Sequence, residues 1–268
     1  MEIKEISFIK EISKLCSNMY RLGWDERNGG NVSYLLDEEE VKKHFDIKSV
    51  IRSFPNNLIF DNLDNKIFLI TGTGKYFKNV EDDPETNLGI IRINNQNKSI
   101  DLLWGFIEGG KYTSELPAHL MTHSVRLAKD CNHKVVIHTH PTNLVAMTFV
   151  HPLEDRSFTK SLWRTCTECM VVFPDGIGIL PWMLCGNDEI GIATAKKMEE
   201  YRLVVWSLHG IYGAGTTVDE AFGLIETVEK AAELYLKTAH LKVINTITDN
   251  QLIEIANHFK VNYRKDFF

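Results

Sequence analysis

Residues 134–140 read Lys-Val-Val-Ile-His-Thr-His, and Pro141 follows. Val135, Val136 and Ile137 are β-branched and apolar, so the run is read as a buried strand. Side chains on a strand alternate between faces. His138 and His140 therefore leave on the same side, with Cα atoms about 6.6–7 Å apart. Imidazoles at that spacing can converge on one ion at ~2.0–2.1 Å per bond. Pro141 cannot continue the ladder, which puts the pair at the strand's end, where α/β proteins place their sites. A single histidine here would be read as a hydrogen-bonded core residue. Two on one face point to a metal, with a hydrogen-bonded core pair as the alternative. A third ligand has to come from elsewhere. His209 is the best candidate: it ends a second apolar run at 203–208 and precedes Gly210 and a glycine-rich turn at 213–215.

Around this strand the chain alternates helical and extended patterns. Apolar residues at helical spacing over 5–22, with Gly23 as the C′ residue, predict a first helix. Strands are expected at 32–36, 67–71 and 90–93, the last forming a hairpin with 100–104. The charged run 37–43 reads as a solvated surface excursion. A helix is expected from 114 to 129 with Ser114 as its N-cap and Pro117 in the first turn. Further helices are expected from Thr142, over 158–164, over 188–201 with Asn187 as cap, over 218–240 and over 249–259. Residues 170–173 and 177–180 read as two short strands around Pro174-Asp175-Gly176. No repeat, low-complexity tract or linker interrupts the chain, so a single domain over 1–268 is expected.

Several other groups invite a chemical reading. His119 and His123 are four apart on the expected helix, a spacing that can bind a metal. The string His-Leu-Met-Thr-His lacks the glutamate that metalloproteases place beside the first histidine, so packing or hydrogen bonding is the better reading. Cys166-Thr167-Glu168-Cys169 has redox or zinc spacing but no second cysteine pair, which favours ordinary thiols. Gly72-Thr73-Gly74-Lys75 is too short for a nucleotide-binding P-loop, yet its backbone N–H groups could hold a phosphate. Asn28-Gly29-Gly30-Asn31 has the same character, and Thr113-Ser114 opens a helix whose N-terminus favours an anion. Each alone is a turn or a cap; together, beside a metal pair, they suggest a phosphate site. Glu115 is either a favourable charge at that N-terminus or a general base near the metal.

Composition limits the partners. The 268 residues are 44% hydrophobic, enough for a proper core, and the net charge is -6 without a basic stripe, which argues against nucleic acid. The first five residues lack the apolar core of a signal peptide, and no apolar run approaches the ~20 residues of a membrane span. Five cysteines in a chain of this length do not make a disulfide framework. A soluble cytoplasmic protein is expected.

Taken together, Gly-Trp-Asp-Glu-Arg-Asn-Gly-Gly-Asn, Thr-Ser-Glu-Leu-Pro-Ala-His, His-x-His, Thr-Glu-Cys-x-Val-Val-Phe-Pro-Asp-Gly and Gly-Ile-Leu-Pro-Trp-Met resemble the class II (zinc) sugar-phosphate aldolases of the aldolase/adducin superfamily. The likeness runs from about Arg21 to Lys230. It is specific to the branch acting on L-rhamnulose 1-phosphate. The fuculose and ribulose phosphate branches keep the His-x-His but not the Trp-Asp-Glu-Arg or Pro-Trp-Met strings. The resemblance implies a three-layer α/β/α fold with a mixed, mostly antiparallel sheet, and a fourfold-symmetric homotetramer. It implies one Zn2+ per subunit on His138, His140 and His209, with Glu115 as the catalytic glutamate. Asn28, Gly29, Asn31, Thr73, Gly74, Thr113 and Ser114 fall on phosphate-binding positions. Glu168 falls on a catalytic glutamate contributed by the neighbouring subunit. Thr73 stands where serine is expected and keeps the hydroxyl. The implied reaction is reversible cleavage of L-rhamnulose 1-phosphate to dihydroxyacetone phosphate and L-lactaldehyde, with zinc as the Lewis acid and no Schiff-base lysine. The alternatives are an aldolase or epimerase for another sugar phosphate, and a non-catalytic adducin-like binding head. Three convergent histidines argue against the head.

Overall fold

A computed structural model describes residues 2–268. One nine-stranded sheet runs through it. Its strands, in chain order, are β1 (Asn31–Leu36), β2 (Arg52–Pro55), β3 (Ile67–Thr71), β4 (Leu88–Asn94), β5 (Ser99–Gly105), β6 (Val135–Thr139), β7 (Gly178–Leu180), β8 (Leu203–Trp206) and β9 (Gly210–Gly215). The spatial order is β2-β5-β4-β3-β1-β6-β9-β8-β7. Every neighbouring pair is antiparallel except β7 with β8. The mixed, mostly antiparallel sheet implied by the sequence resemblance is the one observed.

The helices are α1 (Ser7–Arg21), α2 (Glu38–Lys42), α3 (Pro84–Asn87), α4 (Leu116–Lys129), α5 (Thr142–Val150), α6 (Asp155–Trp163), α7 (Thr167–Val172), α8 (Asp188–Met198), α9 (Val218–Thr238) and α10 (Asp249–Phe259). The period-two alternation of the strands divides them into two layers. Val135 and Ile137 of β6, with Leu203 and Val205 of β8, face a core shared with α1, α5, α6, α7, α9 and α10. Val136, Val204, Trp206, Tyr212 and Ala214 face the opposite way, onto α4 and α8. His138 has the parity of Val136, so its ring points to the α4 side.

Local chemistry sets the element ends. Gly23 (φ +76°) and Trp24 close α1: the Gly23 amide donates to the Tyr20 carbonyl and the Trp24 amide to that of Met19, the Schellman pattern. Asn187 caps α8, as expected, and Thr248 caps α10 through a reciprocal bond with Gln251.

Four expectations are corrected. The charged run at 37–43 is not an open excursion: Asp37 accepts from the amides of Glu39 and Glu40, and α2 forms and buries Val41. Residues 170–173 are not a strand; β-branched Val171 and Val172 are carried into α7, where Cys169 and Met170 pack into the core beside α9 and α10. Ser114 does not cap α4. The chain makes one tighter turn in which Thr113 Oγ1 accepts from the Glu115 amide, and the helix begins at Leu116. Residues 213–215 are not a turn but the end of the interior strand β9. Small residues serve there because α9 lies close: a Cβ on Gly215 would sit 2.7 Å from the Ala221 nitrogen.

Candidate functional site

The site is built on one row across the sheet. Register pairs Asn31 of β1 with His138 of β6, and His138 with Tyr212 of β9. All three side chains leave on the α4 face. Tyr212 stacks on the His138 ring at 4.7 Å between centroids, and its hydroxyl donates to Glu115 Oε2 at 2.8 Å. Asn31 Nδ2 donates to the same oxygen at 3.2 Å. Glu115, in the turn before α4, thus lies over the row with Oε2 3.7 Å from His138 Nε2. Burial raises its pKa above the ordinary carboxylate value, against the lowering effect of the bonds from Tyr212 and Asn31 and the nearby His140.

His140 follows directly after β6. Its amide donates to the Trp24 carbonyl. Just beyond it, Glu229 of α9 accepts from the Asn143 and Leu144 amides, serving α5 as a cap from another helix. Between the two histidines Thr139 points to the opposite face and donates to Asp25. Burial pushes the Asp25 carboxyl well above its usual range, with the Thr139 bond opposing. His209 stands in the three-residue loop joining β8 to β9, after Leu208, whose left-handed backbone (φ +63°) is held by Thr148 Oγ1 on its amide.

The ligand atoms of His138, His140 and His209 all lie within 4.8 Å of one another. His138 Nδ1 donates to the Ile211 carbonyl, which leaves Nε2 as a bare lone pair. His140 Nδ1 faces Glu26 Oε2 at 3.3 Å and donates to it, so its Nε2 is bare as well. These two Nε2 atoms are 3.3 Å apart. Two lone pairs aimed at one another repel, unless a cation lies between them. Ligands ~2.05 Å from a tetrahedral ion stand about 3.3–3.4 Å apart, so the donor set fits zinc. Burial lowers the pKa of His138 and takes that of His209 down to about 4.

The three loops singled out in the sequence converge at this end of the sheet. Gly29 lies against the His140 ring, where an added Cβ would meet Cε1 at 3.0 Å. Thr73 donates its amide to the Lys111 carbonyl, Thr113 donates its own to Thr71, and Gly72 bridges Tyr112. Thr71 Oγ1 in turn accepts from the Val32 amide, tying these loops to the start of β1 beside Asn28–Asn31. Asn28, Thr73, Gly74 and Ser114 are exposed. Glu168 is not brought to this cluster. It sits exposed in the first turn of α7, on the other side of the sheet, and among the described residues its side-chain partner is the Cys166 thiol.

His119 and His123 share no ion position with the other histidines; both are hydrogen-bonded to Ser33, as the hydrogen-bonding reading expects. Tyr212, Ser33 and Glu26 escaped the sequence reading. Tyr212 could have been found only through the pairing of β9 with β6, and reading 213–215 as a turn hid that strand.

A family model described as Class II Aldolase and Adducin N-terminal domain matches residues 10–236. A rhamnulose-1-phosphate aldolase of Listeria monocytogenes serotype 4a (strain HCC23) is 53% identical over 267 residues, spanning 99% of this chain and 98% of its own. One of Enterococcus faecalis (strain ATCC 700802 / V583) is 50% identical, spanning 97% and 94%. Among solved structures, a sugar-phosphate aldolase from Thermotoga maritima superposes with a TM-score of 0.77 at 29% identity, over 88% of this chain and 97% of its own. An L-fuculose 1-phosphate aldolase shares the fold at a TM-score of 0.61 and 19% identity, over 94% and 95%.

Proposed function

The chain belongs to the class II aldolase and adducin family and is an aldolase, a carbon–carbon lyase; from that premise we propose that it uses zinc to cleave L-rhamnulose 1-phosphate reversibly to dihydroxyacetone phosphate and L-lactaldehyde. The observation that carries this reading is the bare Nε2 pair of His138 and His140, 3.3 Å apart, beside His209 and beneath Glu115. Full-length relatives named for rhamnulose 1-phosphate support the substrate. Bound by His138, His140 and His209, the zinc supplies Lewis-acid stabilisation of the negative charge left on substrate oxygen as the bond breaks.

The protein's own groups do the rest. Glu115 carries the proton to and from carbon, being the carboxylate held over the imidazoles. The phosphate is held by uncharged donors at Asn28, Gly29, Thr73, Gly74, Thr113 and Ser114. Asn31, which the resemblance groups with them, has its amide engaged by Glu115 and His119. The test is a panel of ketose 1-phosphates given to the purified, zinc-loaded protein, with release of dihydroxyacetone phosphate as the readout. Cleavage of the fuculose or ribulose phosphate in preference to the rhamnulose one would overturn the substrate assignment.

Asn28→Ala is expected to raise KM for the phosphorylated ketose about 10–150-fold while zinc content stays at the wild-type level. Loss of one hydrogen bond to a charged group is worth about 1.5–3 kcal/mol. An unchanged KM would remove Asn28 from the phosphate site.

Glu168 completes the site from a neighbouring protomer of a fourfold homotetramer in the cytoplasm. Its exposure and its separation from the histidines within one chain support this reading. A dissociated but folded monomer is then expected to bind zinc and to turn over poorly. Light scattering combined with activity decides it, and a fully active monomer would contradict the assignment.

A further inference from the structure

Behind Glu115 runs a chain of buried groups that the reaction itself does not use. His119 and His123 both point from α4 to the sheet and are fully buried. Ser33 Oγ lies 2.6 Å from His119 Nδ1 and 2.8 Å from His123 Nε2. On its other side the His119 ring bonds Asn31 Oδ1 through Nε2. Asn31 Nδ2 then donates to Glu115 Oε2.

The donors along this chain can be worked out. An amide oxygen only accepts, so His119 Nε2 carries the hydrogen and Nδ1 the lone pair. Ser33 therefore donates to His119 Nδ1, and its oxygen accepts from His123 Nε2–H. That leaves His123 Nδ1 as a bare acceptor, and this is the ring nitrogen with no partner. Run in the opposite sense, the chain would strand an N–H at that dry end. Buried N–H groups without partners are rarer than unfilled acceptors. Burial pushes the His123 imidazole down to about 3 and that of His119 well below its usual value, so each ring is neutral and has one hydrogen to give. The sense of the chain prevents the Asn31 amide from flipping. Flipped, it would set its oxygen against Glu115 Oε2 rather than a donor. With Tyr212 giving a second hydrogen to the same oxygen, Oε2 is gripped twice and Oε1 carries neither bond.

We propose that His119, backed by Ser33 and His123 and acting through Asn31, is the positioning residue that fixes the Glu115 carboxylate for proton transfer, so that Asn31 serves the carboxylate and not the phosphate. The inference rests on Glu115 as the proton-transfer group; it does not depend on which ketose is cleaved. Its test is therefore solvent-deuterium exchange into dihydroxyacetone phosphate by the zinc-loaded full-length protein, alongside the ketose panel. His119→Gln places an amide N–H where Nε2 stood and keeps the bond to Asn31. His119→Asn reaches Ser33 but not Asn31. The glutamine variant is expected to exchange within about threefold of wild type, and the asparagine variant about 10–100-fold more slowly at saturation, the cost of a small misplacement of a reacting group. Half-saturation by dihydroxyacetone phosphate and zinc content should be unchanged in both. Ser33→Ala should fall between them. Equal rates in the two His119 variants, or a loss appearing in half-saturation alone, would overturn the proposal, as would absence of exchange in the wild type. Exchange in the wild type without cleavage of L-rhamnulose 1-phosphate would sink the substrate assignment and leave the role of His119 standing. Nitrogen-15 spectra of the labelled protein give a readout independent of turnover: Nε2–H on both His119 and His123 supports a chain running from His123 to Glu115, and Nδ1–H on either reverses it.

Discussion

Replacing His140 by alanine is expected to abolish zinc binding and aldolase activity together. The expectation comes from geometry. His138 and His140 present bare Nε2 atoms 3.3 Å apart, each fixed in that tautomer by what its Nδ1 donates to: the Ile211 carbonyl for one and Glu26 for the other. A three-nitrogen site that loses one ligand keeps two donors with no fixed third position. Weakening even the outer partners of metal ligands costs about 10–100-fold in affinity, and deleting a ligand costs more. The fold should survive, because His140 is partly exposed at a strand end and its backbone amide keeps its bond to the Trp24 carbonyl. Elemental analysis, thermal melting and release of dihydroxyacetone phosphate on the same preparation decide the matter. Full metal retention by a folded, inactive protein would remove His140 from the ligand set.

What the residues disclosed about this site followed from local rules, and what they concealed depended on distant pairing. The His-x-His strand was legible because β-branching and period two need no partner to be read. The close of α1 at Gly23 and the start of α8 at Asn187 were legible because a cap is chemistry between neighbours in sequence. Val171 and Val172 misled because their β propensity is weaker than the packing of α7 against α9 and α10. Gly213, Ala214 and Gly215 misled because small residues mark turns locally, whereas here they admit α9 close to the sheet. That one misreading hid β9, and with β9 it hid Tyr212, whose hydroxyl is one of the two donors on Glu115. The buried bonds among Asn31, Ser33, His119 and His123 were equally out of reach. They join β1 to α4 across more than eighty residues, and spacing within α4 says only that two histidines share a face.

Glu115→Ala is expected to keep zinc, keep affinity for dihydroxyacetone phosphate, and lose about 10²–10⁴ in rate, the usual share of general acid–base catalysis. Dihydroxyacetone phosphate must lose a carbon-bound proton in the synthetic direction, and the product of cleavage must regain one. Some group has to carry that proton at the site. His138, His140 and His209 are committed as ligands in this reading, and the buried His119 and His123 are occupied with Ser33. Glu115 remains. Its position suits the task, since Tyr212 and Asn31 both hold Oε2 and leave Oε1 free of those bonds. Its basicity suits it too, since burial raises the carboxyl pKa above the ordinary value and makes the ionised form a stronger base. Ground-state binding should be spared because the phosphate contacts are assigned to Asn28, Thr73, Gly74 and the Thr113-Ser114 turn. The alternative is that Glu115 serves only as a negative charge near the start of α4. That role is worth about 0.3–1 kcal/mol of stability and nothing in proton transfer. Solvent-deuterium exchange into bound dihydroxyacetone phosphate separates the two. Exchange at the wild-type rate in a zinc-loaded Glu115→Ala protein would leave only the helix-terminus role, and exchange reduced about as much as cleavage would identify Glu115 as the base.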